Sequence, residues 1–363
     1  MATNSINFFF AIGRFLCLTP PYDEAKACNG FYNIVCVILN IIFTLLSIAF
    51  RDYYHNYYYK ATLYVLIDAN LLLFSCYAPL SVAFWNKTQW GKLITNIKTI
   101  ISLSENPSKI TFFAKFYIFR LFLEIVILIV VYYFWLNFLG WSYYIRQYSI
   151  QYVQYYLVYA YNMFVSFILY VIYTQYKSLN NTLVTVTNNH PNCLKTISTS
   201  LNKIEQNIYF LKDTVDIFNE VFGWATAMGI VHTILYMLNN LDFIFMASAD
   251  FPQSLAKRIV ADVVLVLLTT VGTFIVIMWC DLISGETEAM LNKSYVLQRN
   301  CKNFLEQDRL EQFVKIVTRN FPKFSAARFF TIDRSTILNV LNTVTTFFII
   351  IIQFRISSTS AKC

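Results

Sequence analysis

Val263-Val264-Leu265-Val266-Leu267-Leu268-Thr269-Thr270-Val271-Gly272-Thr273-Phe274-Ile275-Val276-Ile277-Met278-Trp279-Cys280 runs without one charged residue. At about 1.5 Å per helical residue, such a stretch nearly crosses a hydrocarbon core of about 30 Å. It closes the segment 259–280, and six comparable apolar segments lie at 31–50, 61–85, 117–141, 150–176, 217–246 and 336–354. Hydrophobic residues make up 57% of the chain and charged residues only 13%, against about 25% charged in an ordinary soluble domain. A water-soluble fold of this composition has too little polar surface to cover itself. The sequence predicts an all-α membrane protein with seven transmembrane helices.

Loop charge sets the expected orientation. The net charge of +8 comes from 28 Lys and Arg. Most of them fall at the amino terminus, after the second span, after the fourth and before the seventh, so the positive-inside rule puts those regions in the cytoplasm and the carboxyl terminus outside. That orientation is opposite to a G-protein-coupled receptor. The basic excess therefore reports topology and not a nucleic-acid partner. The glycosylation sequons at Asn86, Asn180 and Asn292 all fall in loops assigned to the cytoplasm, where the modification machinery does not act. Met1 to Pro20 has neither a basic start nor a small-residue cleavage site, so the first span is expected to act as the insertion signal.

The chain divides, as one expected domain over 1–363, into a cytoplasmic amino terminus (1–30), spans one to four (31–176), a cytoplasmic helical loop (177–216) and spans five and six (217–280). A cytoplasmic helical region (281–335), the seventh span (336–354) and an external tail (355–363) complete it. In 177–216 and just beyond, Leu201, Ile204, Ile208, Leu211, Val215 and Phe218 recur at three- and four-residue steps, which predicts a helix projecting from the membrane. Leu291, Phe304, Leu305, Leu310, Phe313 and Val317 predict the same for 281–335, the two regions packing together. Arg120 and Glu124 in the third span stand one turn apart and are expected to pair with each other.

The chemistry-bearing residues are sparse. Eight cysteines are scattered with no CxxC pair, which predicts neither a metal site nor a disulfide framework, and no cofactor is expected. Three histidines, His55, His190 and His232, exclude most hydrolase constellations, and no enzyme activity is expected. A carrier would show interrupted helices in repeated halves, and none appears. In the last span Asn339, Asn342, Thr346 and Gln353 fall near one helical face, interleaved with Val340, Leu341, Phe347, Phe348 and the run Ile349 to Ile352. Such amides are commonly just hydrogen-bonded to a neighbouring helix. Repeated around a symmetry axis, they would instead form polar rings of the kind that line channels.

The stretch Thr346-Phe347-Phe348-Ile349-Ile350-Ile351-Ile352-Gln353-Phe354 resembles the carboxyl-terminal signature of insect gustatory receptors, with Phe347 in place of the usual Tyr. Upstream, Phe324-Ser325-Ala326-Ala327-Arg328-Phe329-Phe330-Thr331-Ile332-Asp333-Arg334 is similar to the stretch that leads into that family's final helix. Weaker similarity lies at Asn219-Glu220-Val221-Phe222-Gly223-Trp224 and around Gly13. The resemblance to this branch of the insect chemoreceptor superfamily implies a tastant-gated, non-selective cation channel in the plasma membrane of sensory dendrites. It implies a tetramer, homomeric or with other chemoreceptor subunits, whose four seventh helices surround a pore. It places Asn342, Thr346, Ile350, Gln353 and Phe354 along that pore, with Gln353 and Phe354 at its narrowest part. An acidic residue often follows the Thr-Tyr pair in the sugar class, and Phe348 in that place leans toward a bitter-type ligand. An odorant receptor subunit, which needs a coreceptor, is the alternative within the superfamily.

The same resemblance implies that the ligand binds within each subunit among spans two to six, and the outer halves of those spans supply the candidate residues. They are rich in aromatic residues, some of which serve only as an interfacial belt, with a few placed polar groups. The candidates are Asp68, Asn70, Tyr133, Trp135, Gln154, Tyr155, Tyr159, Asn162, Tyr236, Asn239 and Asp262. Asp68 stands out, because a carboxylate seven residues into a span costs several kcal/mol unless it is protonated, paired or wetted.

Overall fold

The computed structural model describes residues 2–21, 30–50, 58–104, 106–189, 194–250, 255–300 and 304–360. The described residues form ten helices and one small hairpin: α1 (Ala2–Phe15), α2 (Gly30–Phe50), α3 (Tyr58–Leu80), α4 (Lys87–Leu103), α5 (Pro107–Leu139), α6 (Trp141–Asn189), α7 (Leu194–Asp250), α8 (Leu255–Asn300), α9 (Phe304–Arg319), β1 (Ser325–Ala326), β2 (Phe330–Thr331) and α10 (Arg334–Ser360). All seven apolar segments are helical. Among the described residues six helices are long and apolar enough to cross a membrane, within α2, α3, α6, α7, α8 and α10. The expected third span, 117–141, lies in α5, which is not one of the six.

Helix length explains the extensions. With 49, 57 and 46 residues, α6, α7 and α8 run about 70–85 Å at 1.5 Å per residue, more than twice a hydrocarbon core. The described residues of 177–216 are therefore continuations of α6 and α7, and 281–300 continues α8, while α9 and the hairpin lie beyond it. They pack through the buried row Leu201, Ile204, Ile208, Leu211 and Val215 against α9, whose Leu310, Phe313 and Val317 are buried. Arg309 of α9 pairs with Glu205 of α7 at 2.8 Å and also donates to Asn202. Glu286 and Lys293 of α8 both bond Asn180 of α6 at 2.8 Å.

Several local features depart from expectation. Residues 87–103, expected as a loop, form α4, because Trp90, Leu93, Ile94, Ile97 and Ile100 make an apolar stripe buried beneath α6 and α7. The gap expected between spans three and four closes to Gly140 alone, whose φ of 91° lies where a β-carbon is strongly disfavoured. Pro79 inside α3 has no N–H to donate, and the helix leaves its regular ladder just beyond, in a π-helical turn at Ser81–Trp85. The amino terminus is a packed helix: Phe9 and Phe10 of α1 are fully buried, and Phe9 stacks on Phe164 of α6 at 4.2 Å. A β-carbon on Gly13 would lie 2.8 Å from the Phe164 ring, so glycine permits that approach.

Arg120 and Glu124 do not form the expected ion pair. Arg120 Nε donates instead to the hydroxyl of Tyr159 on α6 at 3.1 Å. Glu124 is buried on the seam of α5 with Tyr117, Leu121, Leu128 and Val131, while Arg120 turns across the interface. With the cation amino-terminal to the anion, an i,i+4 pair has the weaker of its two orders, and the hydroxyl of the adjoining helix is the better partner.

Candidate functional site

α6 organises the polar groups of the membrane region, because 83% of its most apolar membrane-length window is buried inside the chain. Its faces meet different neighbours. Toward α2 and α3, Gln154 donates to Asn40 and Thr44 at 2.9 Å and approaches Ser75 at 3.5 Å. One turn earlier, Gln151 donates to the carboxylate of Asp68, and both residues are buried. The Asp68 carboxylate is thus held by an amide donor from a second helix, which answers the cost of placing it in the span. Ser47 of α2 adds a bond to the Gln147 carbonyl.

Toward α7 and α8 the same helix presents Tyr155 and Asn162. Tyr155 lies 5.1 Å from Tyr236 and 5.7 Å from His232, measured between ring centroids. His232 stacks on Tyr236 at 5.6 Å with 26° between the rings. Deeper in the bundle, Asn162 donates to Thr273 at 3.3 Å and Thr233 lies 3.0 Å from the same hydroxyl. A β-carbon on Gly272 would come within 3.2 Å of Asn162, so that glycine admits the amide beside α8.

The expected ligand residues therefore fall into separate places. Asp68 and Gln154 belong to the polar ladder facing α2 and α3, and Asn70 donates to the Met228 carbonyl of α7 at 3.2 Å. Tyr155 and Tyr236 share the aromatic cluster with His232, and Tyr159 is turned to Arg120. Tyr133 is 60% exposed on α5, while Trp135 is half-buried and packs edge-on to Phe134. The side chain of Asp262 lies outside those described. His232, Thr233, Thr273 and Gln151 join these clusters without having been singled out as ligand residues. The signal for His232 was its spacing, since 232, 236 and 239 fall on one face of a helix.

Three hollows on the described surface are apolar. One of about 700 Å³ lies between α5 and α8, lined by Val126, Val130, Phe134, Val260 and Val264 among others. Smaller ones, about 380 and 360 Å³, lie between α1 and α5 and between α2 and α6. None of the expected ligand residues whose side chains are described lines any of the three.

At the last helix, Thr336, Val340 and Val344, four residues apart, are buried against α7 and α8. Asn339, Asn342, Thr346, Ile350 and Gln353 are exposed, and the side chain of Phe354 lies outside those described. Just before α10, β1 and β2 pair antiparallel, Ser325 with Thr331 and Ala326 with Phe330. Asn219 of α7 clamps the hairpin, donating to the Lys323 carbonyl at 2.7 Å and accepting from the Ser325 N–H at 3.0 Å. The two stretches that resembled gustatory receptors, at 219–224 and 324–334, thus meet in space.

This fold is similar to solved insect chemoreceptors. The insect olfactory receptor OR5 from Machilis hrabei superposes with a TM-score of 0.68 at 15% identity, covering 96% of this chain and 97% of that one. The same receptor in complex with eugenol gives 0.67 at 14% identity, covering 97% and 99%. No curated protein matches the sequence. The family model described as 7tm Chemosensory receptor matches residues 6–358. A multi-pass helical membrane receptor and not an enzyme, the chain belongs to the 7tm chemosensory receptor family.

Proposed function

We propose that the chain is a gustatory receptor: a tastant-gated, non-selective cation channel in which four copies of α10 line a pore and a small molecule binds inside each subunit. The observation that carries the proposal is the surface of α10. Only 17% of its membrane-length window is buried within the chain, against 83% for α6. Asn339, Asn342, Thr345, Thr346 and Gln353 are exposed on it, and Thr343, Thr345 and Thr346 turn back to the carbonyls of Asn339, Leu341 and Asn342 at 2.7, 2.9 and 2.9 Å. Amide side chains turned to lipid are costly, and further copies of the helix around an aqueous axis remove that cost.

In this reading the chain forms one unit of seven spans, with α5 as the third. The amino terminus is cytoplasmic, the carboxyl terminus is external, and the protein resides in the plasma membrane of sensory dendrites. Gln353 and Phe354 stand at the narrowest part of the pore. The ligand, of bitter type, binds among the outer halves of spans two to six, against the Tyr155 and Tyr236 rings of α6 and α7. Eugenol, found with the olfactory receptor OR5, is a reasonable first compound to try.

The test expresses the chain alone in cells and records cation current against sugars, plant alkaloids and eugenol. Ligand-evoked current whose permeation changes in N342A, T346A and Q353A is the expected result. Current untouched by substitutions at Gln353 and Phe354 overturns the pore assignment. Current that appears only with an added odorant coreceptor replaces the gustatory reading by the odorant one.

A further inference from the structure

His232 is 1% exposed, and neither of its ring nitrogens has a hydrogen-bond partner among the described residues. A neutral imidazole offers one N–H donor and one bare nitrogen acceptor. Leaving such groups unpaired in a buried place forfeits the hydrogen bonds they make with water in the unfolded chain. A phenylalanine would fill the same slot between Tyr155 and Tyr236 without that penalty, so packing alone gives no reason for histidine there. Further along the same face of α7, the Oδ1 atom of Asn239 is also buried with no partner among the described residues. Seven residues separate the two, about 10 Å along a helix axis, with the Tyr236 ring between them.

The neighbouring polar groups are already committed to protein. Asn240 donates to the Tyr236 carbonyl at 2.8 Å, and Thr233 donates to the Gly229 carbonyl at 2.9 Å while lying 3.0 Å from the Thr273 hydroxyl. The open hydrogen-bonding capacity on this face of α7 is therefore concentrated at two points, with aromatic rings between them. We propose that His232 is a specificity-determining ligand contact, and that the site it serves takes an uncharged aromatic molecule with a hydroxyl at each end. The phenolic hydroxyl donates to the bare imidazole nitrogen, and the other hydroxyl donates to Asn239 Oδ1. The ring lies against Tyr155 and Tyr236. Both tyrosines are buried, so entry of the ligand parts α6 from α7. This inference rests on the proposed receptor function and narrows the ligand class of that same site.

Tyrosol has this form, and its phenolic methyl ether and para-ethylphenol each lack one hydroxyl donor. The full-length chain in lipid nanodiscs is titrated with the three compounds, following the rise in thermal midpoint. The wild type is expected to bind tyrosol about tenfold more tightly than the methyl ether, the worth of one buried hydrogen bond. H232F is expected to bring the two within about twofold while still binding the ether, and H232Q, which keeps a donor and an acceptor, to retain part of the preference. N239L is expected to remove the preference for tyrosol over para-ethylphenol and to leave the phenol preference intact.

A wild type that does not distinguish tyrosol from its ether, or that none of the three stabilises, overturns the proposal without any variant. So does a preference that survives in H232F. Because the readout is binding, the two proposals fail separately. A chain that binds tyrosol through His232 yet carries no current overturns the channel reading alone, and evoked currents indifferent to His232 alongside a flat titration overturn this one alone.

Discussion

At Gly223 the absence of a β-carbon joins two distant parts of the chain. A carbon added there would lie 2.9 Å from the backbone nitrogen of Ala327 and 3.3 Å from the Ser325 carbonyl. Both are backbone atoms of the hairpin, which cannot swing aside as a side chain can. Ala327 and Arg328 at its tip hold φ of 50° and 64°, a strained choice for residues other than glycine. The docking on α7, where Phe218 meets Phe324 and Trp224 meets Phe329, holds the turn in place. Gly223→Ala is expected to lower stability by about 1–3 kcal/mol through overpacking. Gly91→Ala, in α4 with nothing within 4 Å of the added carbon, is expected to raise it by about 1 kcal/mol from helix propensity. Thermal midpoints of the two purified variants moving in the same direction would contradict this account. Asp68 supports a second comparison. Gln151→Leu withdraws a buried donor from the carboxylate and is expected to cost about 1–3 kcal/mol, whereas Asp68→Asn keeps an acceptor for Gln151 and is expected to cost less. The reverse order of melting temperatures would show that the pair is incidental.

Among the elements, α10 is held firmly at one end and by one narrow stripe along its length. At its amino terminus the Ser335 N–H donates to Asp333 Oδ1 at 2.9 Å, and the Asp333 N–H donates to Thr336 Oγ1 at 3.2 Å. This is the reciprocal logic of a capping box, with a carboxylate at the positive end of the helix dipole. A second carboxylate, Asp281 of α8, accepts from the Arg334 N–H at 3.2 Å, so the start of α10 is bonded to another span as well as to itself. Asp333→Ala is expected to destabilise by about 1 kcal/mol, the usual worth of an N-cap, read as a drop in thermal midpoint. Asp281→Ala leaves that local cap in place and removes the tie to α8. It is expected to shift the ligand concentration for half-maximal current more than it shifts the midpoint, and a midpoint change alone would make the contact merely structural.

For the whole molecule, what matters is which surfaces one chain leaves uncovered. α6 is surrounded by its own chain, while α10 shows its polar stripe and its Ile349 and Ile350 to the outside. In an assembly around a central axis, cysteines placed at Asn342 or Thr346 are expected to react with a water-soluble thiol reagent and block current. A cysteine at Val340, on the buried stripe, is expected to be inert. Equal reactivity at all three positions would sink the pore geometry.

Much of this was legible in the residue order, since apolar runs of membrane length and helical periodicity beyond them depend on local hydrophobicity alone. The helices within 31–50, 61–85, 150–176, 217–246, 259–280 and 336–354, the helical character of 177–216 and 281–335, and the polar stripe of α10 came from that source. α4 escaped notice because its stripe is short and interleaved with lysines, and it is held by burial under α6 and α7. The partner of Arg120 was misjudged because a pair one turn apart is visible in sequence, whereas a tyrosine hydroxyl thirty-nine positions away is not. The expected ligand residues shared a depth in the membrane but not a place, for depth follows from counting along a span while facing direction follows from how helices cross. The sequence by itself determined that this chain is a bundle of membrane-length helices with a polar last helix. Tertiary packing alone decided that Tyr155 closes over His232, whose nitrogens have no partner among the described residues, and that Gly223 seats a hairpin, because both are contacts between residues far apart in the chain.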